Sequence, residues 1–122
     1  MTFTQELPSF DTLVIDGIQD RKGKNIKIVD LSSIDGASAR QFIICEGSSN
    51  MQVTAIADNI RESLLERAGI KPYNYDGYRN AEWIVIDYGD VLVHVFQPEV
   101  RARYNLEELW SDAPIISIPD LD

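Results

Sequence analysis

Apolar side chains recur with two different periods along the chain, which separates predicted helices from predicted strands. The first helix is predicted to start at Ser9, whose hydroxyl can cap it, and to stop at Gly23 in the left-handed conformation. The second is predicted to start at Ser49, with Gln52 reaching back to the cap, and to end at Gly69. Each helix carries one apolar stripe, so we expect each to pack one side on a sheet.

Continuous or alternating apolar runs predict the strands. Residues 42–45 offer no polar side, which is typical of a strand buried on both faces in the middle of a sheet. Residues 83–88 and 91–96 flank Gly89 and Asp90, which is the composition of a tight hairpin. Two further strands are predicted over 26–31 and 73–75, and a short last helix over 106–110. The pattern favours an α/β or α+β fold in which helices flank a mixed sheet, and we expect five strands.

The length and composition fit a single domain. A chain of 122 residues with 44% hydrophobic and 25% charged residues is large enough for one core and too short for two. The composition changes beyond residue 110, where the last twelve residues include two Pro and three Asp. We therefore divide the chain into a domain over 1–110 and an acidic, extended tail over 111–122.

The net charge restricts the possible partners. The 20 acidic and 11 basic side chains give a formal charge of −9, which repels nucleic-acid backbones and attracts basic proteins. We expect no direct DNA contact, little or no contact with RNA and a basic protein partner. The basic cluster at residues 21–27 has no interleaved aromatic side chains and is explained by its place at a helix end.

The sequence also indicates where the protein works. A single cysteine cannot form an internal disulfide, which is typical of an intracellular protein. No apolar run reaches the length of a membrane span, and residues 1–9 contain Glu6 but no Lys or Arg, unlike a signal peptide. We expect a cytoplasmic protein without membrane contact.

Two residues with reactive side chains could in principle form a catalytic pair. Cys45 and His94 are a possible nucleophile and base. Cys45 lies within an apolar run, however, where burial suppresses thiolate formation, and His94 alternates with Leu92 and Phe96 as a structural histidine would. The chain also lacks the ligands for a zinc site. We therefore predict no catalytic residue, no metal and no cofactor.

The turn at residues 47–50 supports one enzymatic alternative. It lies between a strand and a helix N-terminus, where free N–H groups can hold a phosphate. A nucleotidyltransferase-like enzyme could combine Gly47 and Ser48 with Asp87 and magnesium. Asp87 and Asp90 straddle the hairpin, however, and no Walker-type lysine accompanies the turn. Helix capping is therefore the preferred interpretation.

The hairpin is the strongest candidate for a binding site. It brings aromatic rings and carboxylates together at Trp83, Asp87 and Tyr88, with Glu82 and Asp90 nearby. Aromatic rings supply contact area and carboxylates bind Arg and Lys, so this set suits a basic protein surface. The alternative is that both rings belong to the core and the acids only solvate a turn. A third hypothesis is a homodimer, formed through the edge strand at 73–75 or through the tail.

Several motifs follow one another in a fixed order between residues 10 and 110. They are residues 47–53, 55–58 and 83–96, then Arg101, Tyr104, 106–107 and 109–110. Their order and spacing resemble those of the Iojap-like ribosomal silencing factors. The long hairpin motif followed by Arg, Tyr, Leu-Glu and Leu-Trp is the most specific part of this resemblance.

The resemblance implies a compact α/β/α domain whose topology is related to that of nucleotidyltransferases but which has no known catalysis. It also implies binding to large-subunit ribosomal protein L-fourteen, at the face where the small subunit docks. Occupying that face would block subunit joining and lower translation when nutrients are scarce. By position, the partner-binding motif of the family corresponds to Trp83, Asp87, Tyr88, Gly89 and Asp90.

Overall fold

The computed structural model describes residues 9–121, so the segment considered above for a signal peptide lies, except for Ser9, outside the described residues. The elements in chain order are α1 (Phe10–Asp20), β1 (Lys24–Asp30), β2 (Gln41–Glu46), α2 (Asn50–Ala68), β3 (Asn74–Asp76), β4 (Trp83–Asp87), β5 (Val91–Phe96), α3 (Pro98–Tyr104), α4 (Leu106–Leu109) and β6 (Ile115–Ile118). The predicted helices and the hairpin are all present, within a few residues of their predicted bounds.

One mixed sheet with the strand order β3-β4-β5-β2-β1-β6 forms the centre of the molecule. Strands β2 and β5 are parallel and the other neighbours are antiparallel, which confirms the predicted mixed sheet. The prediction of five strands is wrong, because β6 adds a sixth beside β1. The sequence does not predict β6 because Pro114 and Pro119 flank it and aspartates lie nearby, and both residue types are depleted in strands.

The helices cover the two faces of the sheet unequally. Helices α1 and α2 lie together on one face, which we call the helical face, over a core that includes Ile43, Cys45 and Ile86. On the other face, the second core forms around Phe42 and Phe96 and is closed by residues of α3, α4 and the loop after β1. Strand β2 is buried on both faces from its first to its fifth residue, as its apolar run predicts.

The helix ends follow the predicted caps with one exception. The Ser49 hydroxyl accepts the N–H of Gln52 at 3.1 Å, and Gly69 ends α2 with φ of +66°. The prediction that Gly23 takes the left-handed conformation after α1 is wrong, because Lys22 does so with φ of +61°. Gly23 is instead required by space, since a Cβ there would lie 2.4 Å from a methyl group of Ile18.

A buried arginine fastens α3 and α4 to the sheet. Arg101 is 6% exposed, and its Nη1 donates to the carbonyl of Asn25 at 2.7 Å and to Glu46 at 3.1 Å. Its Nε donates to Glu107 at 3.0 Å. The two partly buried carboxylates neutralise the guanidinium and accept from its Nε and Nη1, so the charge can be accommodated inside the fold.

The two edges of the sheet differ in their free backbone groups. On β3, strand alternation directs the N–H groups of Tyr75 and Gly77 away from β4, and the side chains of Asn74 and Asp76 accept them at 2.9 and 2.8 Å. On β6, residues 115 and 117 direct their backbone N–H and C=O groups away from β1, and no side chain within residues 9–121 forms a hydrogen bond with these groups. The β3 edge is therefore capped and the β6 edge is open.

Candidate protein-interaction surface

Strand β4 divides its side chains between the two faces of the sheet. Ile84 and Ile86 are fully buried on the helical face. Trp83, Val85 and Asp87 lie on the opposite face, where each is only partly buried. We call these three residues the β4 strip. Four residues of extended chain separate its ends by about 13 Å.

Aromatic neighbours and one hydrogen bond fix the indole of Trp83. The ring stacks on Phe96 with a centroid distance of 4.9 Å and an angle of 21° between the planes. Tyr104 from α3 lies against it at 4.7 Å. The indole N–H donates to Nδ1 of His94 at 3.1 Å. The side chain is therefore held in one orientation while part of it stays exposed.

Cys45 and His94 are both buried and lie apart. His94 is 5% exposed, and burial lowers its pKa to about 4, so the ring is neutral. Cys45 is fully buried, and burial raises its pKa to about 12, which suppresses thiolate formation. His94 lies on the face of the β4 strip, whereas Cys45 belongs to the core of the helical face. They cannot act as a nucleophile and its base.

A two-residue turn closes the hairpin beside Asp87. Gly89 has φ of +88°, as the first central position of a type II′ turn requires. Asp87 accepts the N–H of Gly89 at 2.7 Å through its Oδ1, which leaves Oδ2 for other partners. Asp90 is exposed, and its backbone carbonyl accepts the N–H of Arg40 at 2.7 Å. The two carboxylates thus lie at the same end of the sheet.

The structure separates Tyr88 from the β4 strip. Its ring lies on the helical face, in edge-to-face contact with Phe10 at 5.2 Å. Its hydroxyl is buried and has no hydrogen-bond partner among residues 9–121, and burial raises the pKa of Tyr88 to about 12. The sequence alone predicts this placement, because side chains at every second position of a strand lie on the same face and Tyr88 is two residues after Ile86. Trp83, Asp87 and Asp90 therefore share one side of the hairpin, and Tyr88 supports it from behind.

A notch of about 310 Å³ adjoins Trp83 and was not predicted. Acidic, basic and aromatic residues line it, among them Asp76, Glu82, Arg79, Arg103, Trp83 and Tyr104. They come from β3, the loop before β4, β4 itself and α3. No local pattern in the sequence joins α3 to this loop, because their contact depends on how α3 packs on the sheet.

The parts of the enzymatic alternative lie at opposite ends of the sheet. Gly47 follows β2, and its N–H bonds the carbonyl of Phe96 at the end of β5. Asp87 and Asp90 lie at the start of β5, so about 16 Å of strand separates them from the turn. At the turn itself, the side chain of Gln52 accepts the N–H of Ser48 at 2.7 Å. The arrangement there is that of a capped helix.

Residues 9–121 show neither a membrane-spanning helix nor a cluster of metal ligands. No helix in this part of the chain is long and apolar enough to cross a membrane. No three His, Cys, Asp or Glu side chains in it are close enough together to hold a metal ion.

Known proteins are similar to this chain in sequence and fold. A family model described as "Ribosomal silencing factor during starvation" matches residues 4–122. The ribosomal silencing factor RsfS of Halalkalibacterium halodurans is 40% identical over 106 residues, which cover 87% of this chain and 89% of the relative. The chloroplastic protein Iojap of Zea mays is 41% identical over 80 residues, covering 66% of this chain and 34% of the relative. A crystal structure of a Chromobacterium violaceum protein has a TM-score of 0.79 at 36% identity and covers 88% of both chains.

Fold and comparisons agree on the class of protein. The fold is a mixed α/β domain, and the similar proteins are named ribosomal silencing factors, a name that describes a regulatory role. The chain belongs to the ribosomal silencing factor family. This confirms the resemblance that the motifs predict. The family match also extends through the tail, beyond the residues that carry the resemblance.

Proposed function

We propose that this protein represses translation by binding the large ribosomal subunit through ribosomal protein L-fourteen. In the bound state it occupies the face where the small subunit docks, and the two subunits cannot join. This repression operates when nutrients are limiting and takes place in the cytoplasm. It needs no reaction, because a folded domain in the contact surface is a sufficient obstacle.

The observation that carries this proposal is the uncovered side of the hairpin. Trp83 is held in place but partly exposed, and the carboxylates of Asp87 and Asp90 lie at the adjoining end of the sheet. An aromatic anchor beside carboxylates matches the surface of a basic protein. In the proposed complex these three residues contact the partner, Gly89 sets the turn, and Tyr88 supports the hairpin.

The net charge supports the choice of partner. At −9 the chain is repelled by rRNA and attracted by a cationic ribosomal protein. The proposed contact residues Trp83, Asp87 and Asp90 all lie within residues 1–110, which we propose as the binding domain. The tail at 111–122 contributes a strand to the sheet rather than a contact in this proposal.

Co-sedimentation with separated ribosomal subunits tests the proposal. We expect the protein to sediment with the large subunit and to prevent its joining with the small one. Reversing Asp87 and Asp90 to Lys should weaken binding by about tenfold or more, because both charges face the partner. The matched control reverses Glu62 and Glu66, which are exposed on α2 and give the same change in net charge.

Two results would contradict this assignment. Equal losses for the two double variants would indicate a diffuse attraction by net charge rather than a defined surface. Sedimentation with the small subunit would remove the proposed mechanism altogether. Thermal unfolding of each variant must accompany the binding data, because Asp87 also accepts the N–H of Gly89.

A homodimer is the second interaction that we propose to test. The β3 edge, one of the two candidates, is capped by Asn74 and Asp76, whereas the β6 edge is open. A self-associated form should therefore pair through β6. Light scattering at two concentrations measures the association, and Ile116→Lys, an exposed position of β6, should abolish it.

A further inference from the structure

The indole N–H of Trp83 is already bonded inside the protein. It donates to Nδ1 of His94 at 3.1 Å, across the β4–β5 pair. An indole has one hydrogen-bond donor and no acceptor. Trp83 therefore has no donor left for a partner, although part of the side chain remains exposed.

We propose that His94 is a positioning residue for the docking surface, the contact surface proposed above that Trp83, Asp87 and Asp90 form. It holds the Trp83 indole in place and takes up its N–H, so that a partner meets only ring surface. The inference rests on the proposed function and deepens it. A cationic or apolar side chain of the partner fits such a ring, whereas a partner carbonyl or carboxylate finds no donor there.

The environment of His94 supports a positioning role over a purely structural one. With Nδ1 accepting from Trp83, the neutral ring carries its proton on Nε2, and this buried atom has no partner among the described residues. A buried donor without an acceptor is unfavourable. An apolar side chain would avoid it, so the imidazole contributes to the orientation of the indole rather than to core stability.

Phe96 and Tyr104 alone do not determine the orientation of the indole. Both contact its ring, but a stacked ring can slide or rotate in its own plane. The directional bond to His94 removes that freedom. The imidazole is itself held against Phe42 at a centroid distance of 4.6 Å, so the orientation is transmitted from the buried centre of the sheet to its surface.

A double-mutant cycle on large-subunit binding tests this inference. His94→Leu removes the acceptor, and we expect it to weaken binding by about tenfold. In a Trp83→Phe background, which lacks the donor, the same change should alter binding less than about twofold. His94→Gln retains an acceptor and should restore part of the binding. Circular dichroism at the assay temperature confirms that each variant is folded.

A spectroscopic readout separates orientation from stability. In a Trp110→Phe background, which leaves Trp83 as the single indole, His94→Leu should accelerate hydrogen exchange of the indole N–H. His94→Gln should slow that exchange again. If His94→Leu does not fold, the cycle is carried out with His94→Val, which also lacks an acceptor for the indole N–H, and its coupling with Trp83→Phe must still exceed about twofold.

The outcomes distinguish this inference from the proposed function. If Trp83→Ala weakens binding but His94→Leu changes only stability, the positioning role is overturned and the docking surface stands. If Trp83→Ala leaves binding unchanged, the docking surface itself is wrong. Additive effects of His94→Leu and Trp83→Phe would also overturn the positioning role, since His94 would then act without the indole.

Discussion

Burial changes the chemistry of individual side chains more than their neighbours do. The pKa of Cys45 and of Tyr88 rises and that of His94 falls, and loss of solvent is the largest cause in each case. The single histidine of the chain is therefore neutral well below its usual titration range. This makes it a sensitive reporter of the folded state.

His94 should make the free energy of unfolding depend on pH. The unfolded chain protonates His94 near pH 6.5, whereas the folded chain resists until about pH 4, so stability falls as the pH is lowered between these values. Compared with His94→Gln, which does not titrate, the wild type should lose roughly 2 kcal/mol more between pH 7 and 4.5. Urea unfolding at a series of pH values measures this. Parallel pH curves for the two proteins would show that His94 titrates normally.

At the scale of the elements, a few long-range bonds hold the short helices on the sheet. Helices α3 and α4 have 7 and 4 residues, too short to be stable alone. Arg101 connects them to Asn25 on β1 and Glu46 on β2. The position of Tyr104, and through it the surroundings of Trp83, depends on this connection.

Removing Arg101 should be costly. Arg101→Leu leaves two partly buried carboxylates and a backbone carbonyl without their donor, so we expect a loss of about 3–5 kcal/mol in the free energy of unfolding. Arg103→Leu on the same helix removes an exposed arginine and should cost less than about 0.5 kcal/mol. Chemical denaturation of both variants provides the measurement. Similar losses for the two would mean that Arg101 contributes only helix propensity.

The sequence predicts those elements whose signals are local. Period and capping residues locate α1 and α2, and an unbroken apolar run identifies β2 as an interior strand. Strand β6 is missed because its four residues gain their structure from pairing with β1, more than 80 positions away. The bonds of Arg101 and the contact of Tyr104 with Trp83 are likewise long-range, so no spacing rule reveals them.

The candidate site divides along the same line. The alternation of side chains along β4 is a local signal, and it places Trp83 and Asp87 on the same face of the sheet. The same alternation, continued to residue 88, places Tyr88 on the opposite face. The bond between Trp83 and His94 requires the register of β4 on β5. Residue types therefore indicate the kind of partner, while the tertiary structure decides which side chains can reach it.

For the whole molecule, net charge and shape have separate consequences. A charge of −9 attracts a basic partner over a distance set by the ionic strength, whereas in the proposed complex the specific contacts come from the uncovered side of the hairpin. The first effect changes how often the two proteins meet. The second determines how long they stay together.

Salt should therefore slow association with the large subunit more than it speeds dissociation. Raising the salt from about 50 to 300 mM shortens the screening length from roughly 14 to 6 Å, and the association rate should fall by about tenfold or more. The Glu62→Lys and Glu66→Lys double variant, at a net charge of −5 after two reversals, should show a weaker salt dependence. Stopped-flow measurements with a labelled protein give both rates. A salt effect confined to dissociation would argue against long-range attraction.

The difference between the two sheet edges also limits polymerisation. Fibres grow when each copy offers two free strand edges, because every addition then exposes a new one. Here Asn74 and Asp76 occupy the outward N–H groups of the β3 edge, so among residues 9–121 the β6 edge is the one that offers free N–H groups to another strand. Joining two copies through that edge consumes it on both, so further growth has no template. Two short side chains thus favour a closed pair over an open-ended stack of six-stranded sheets.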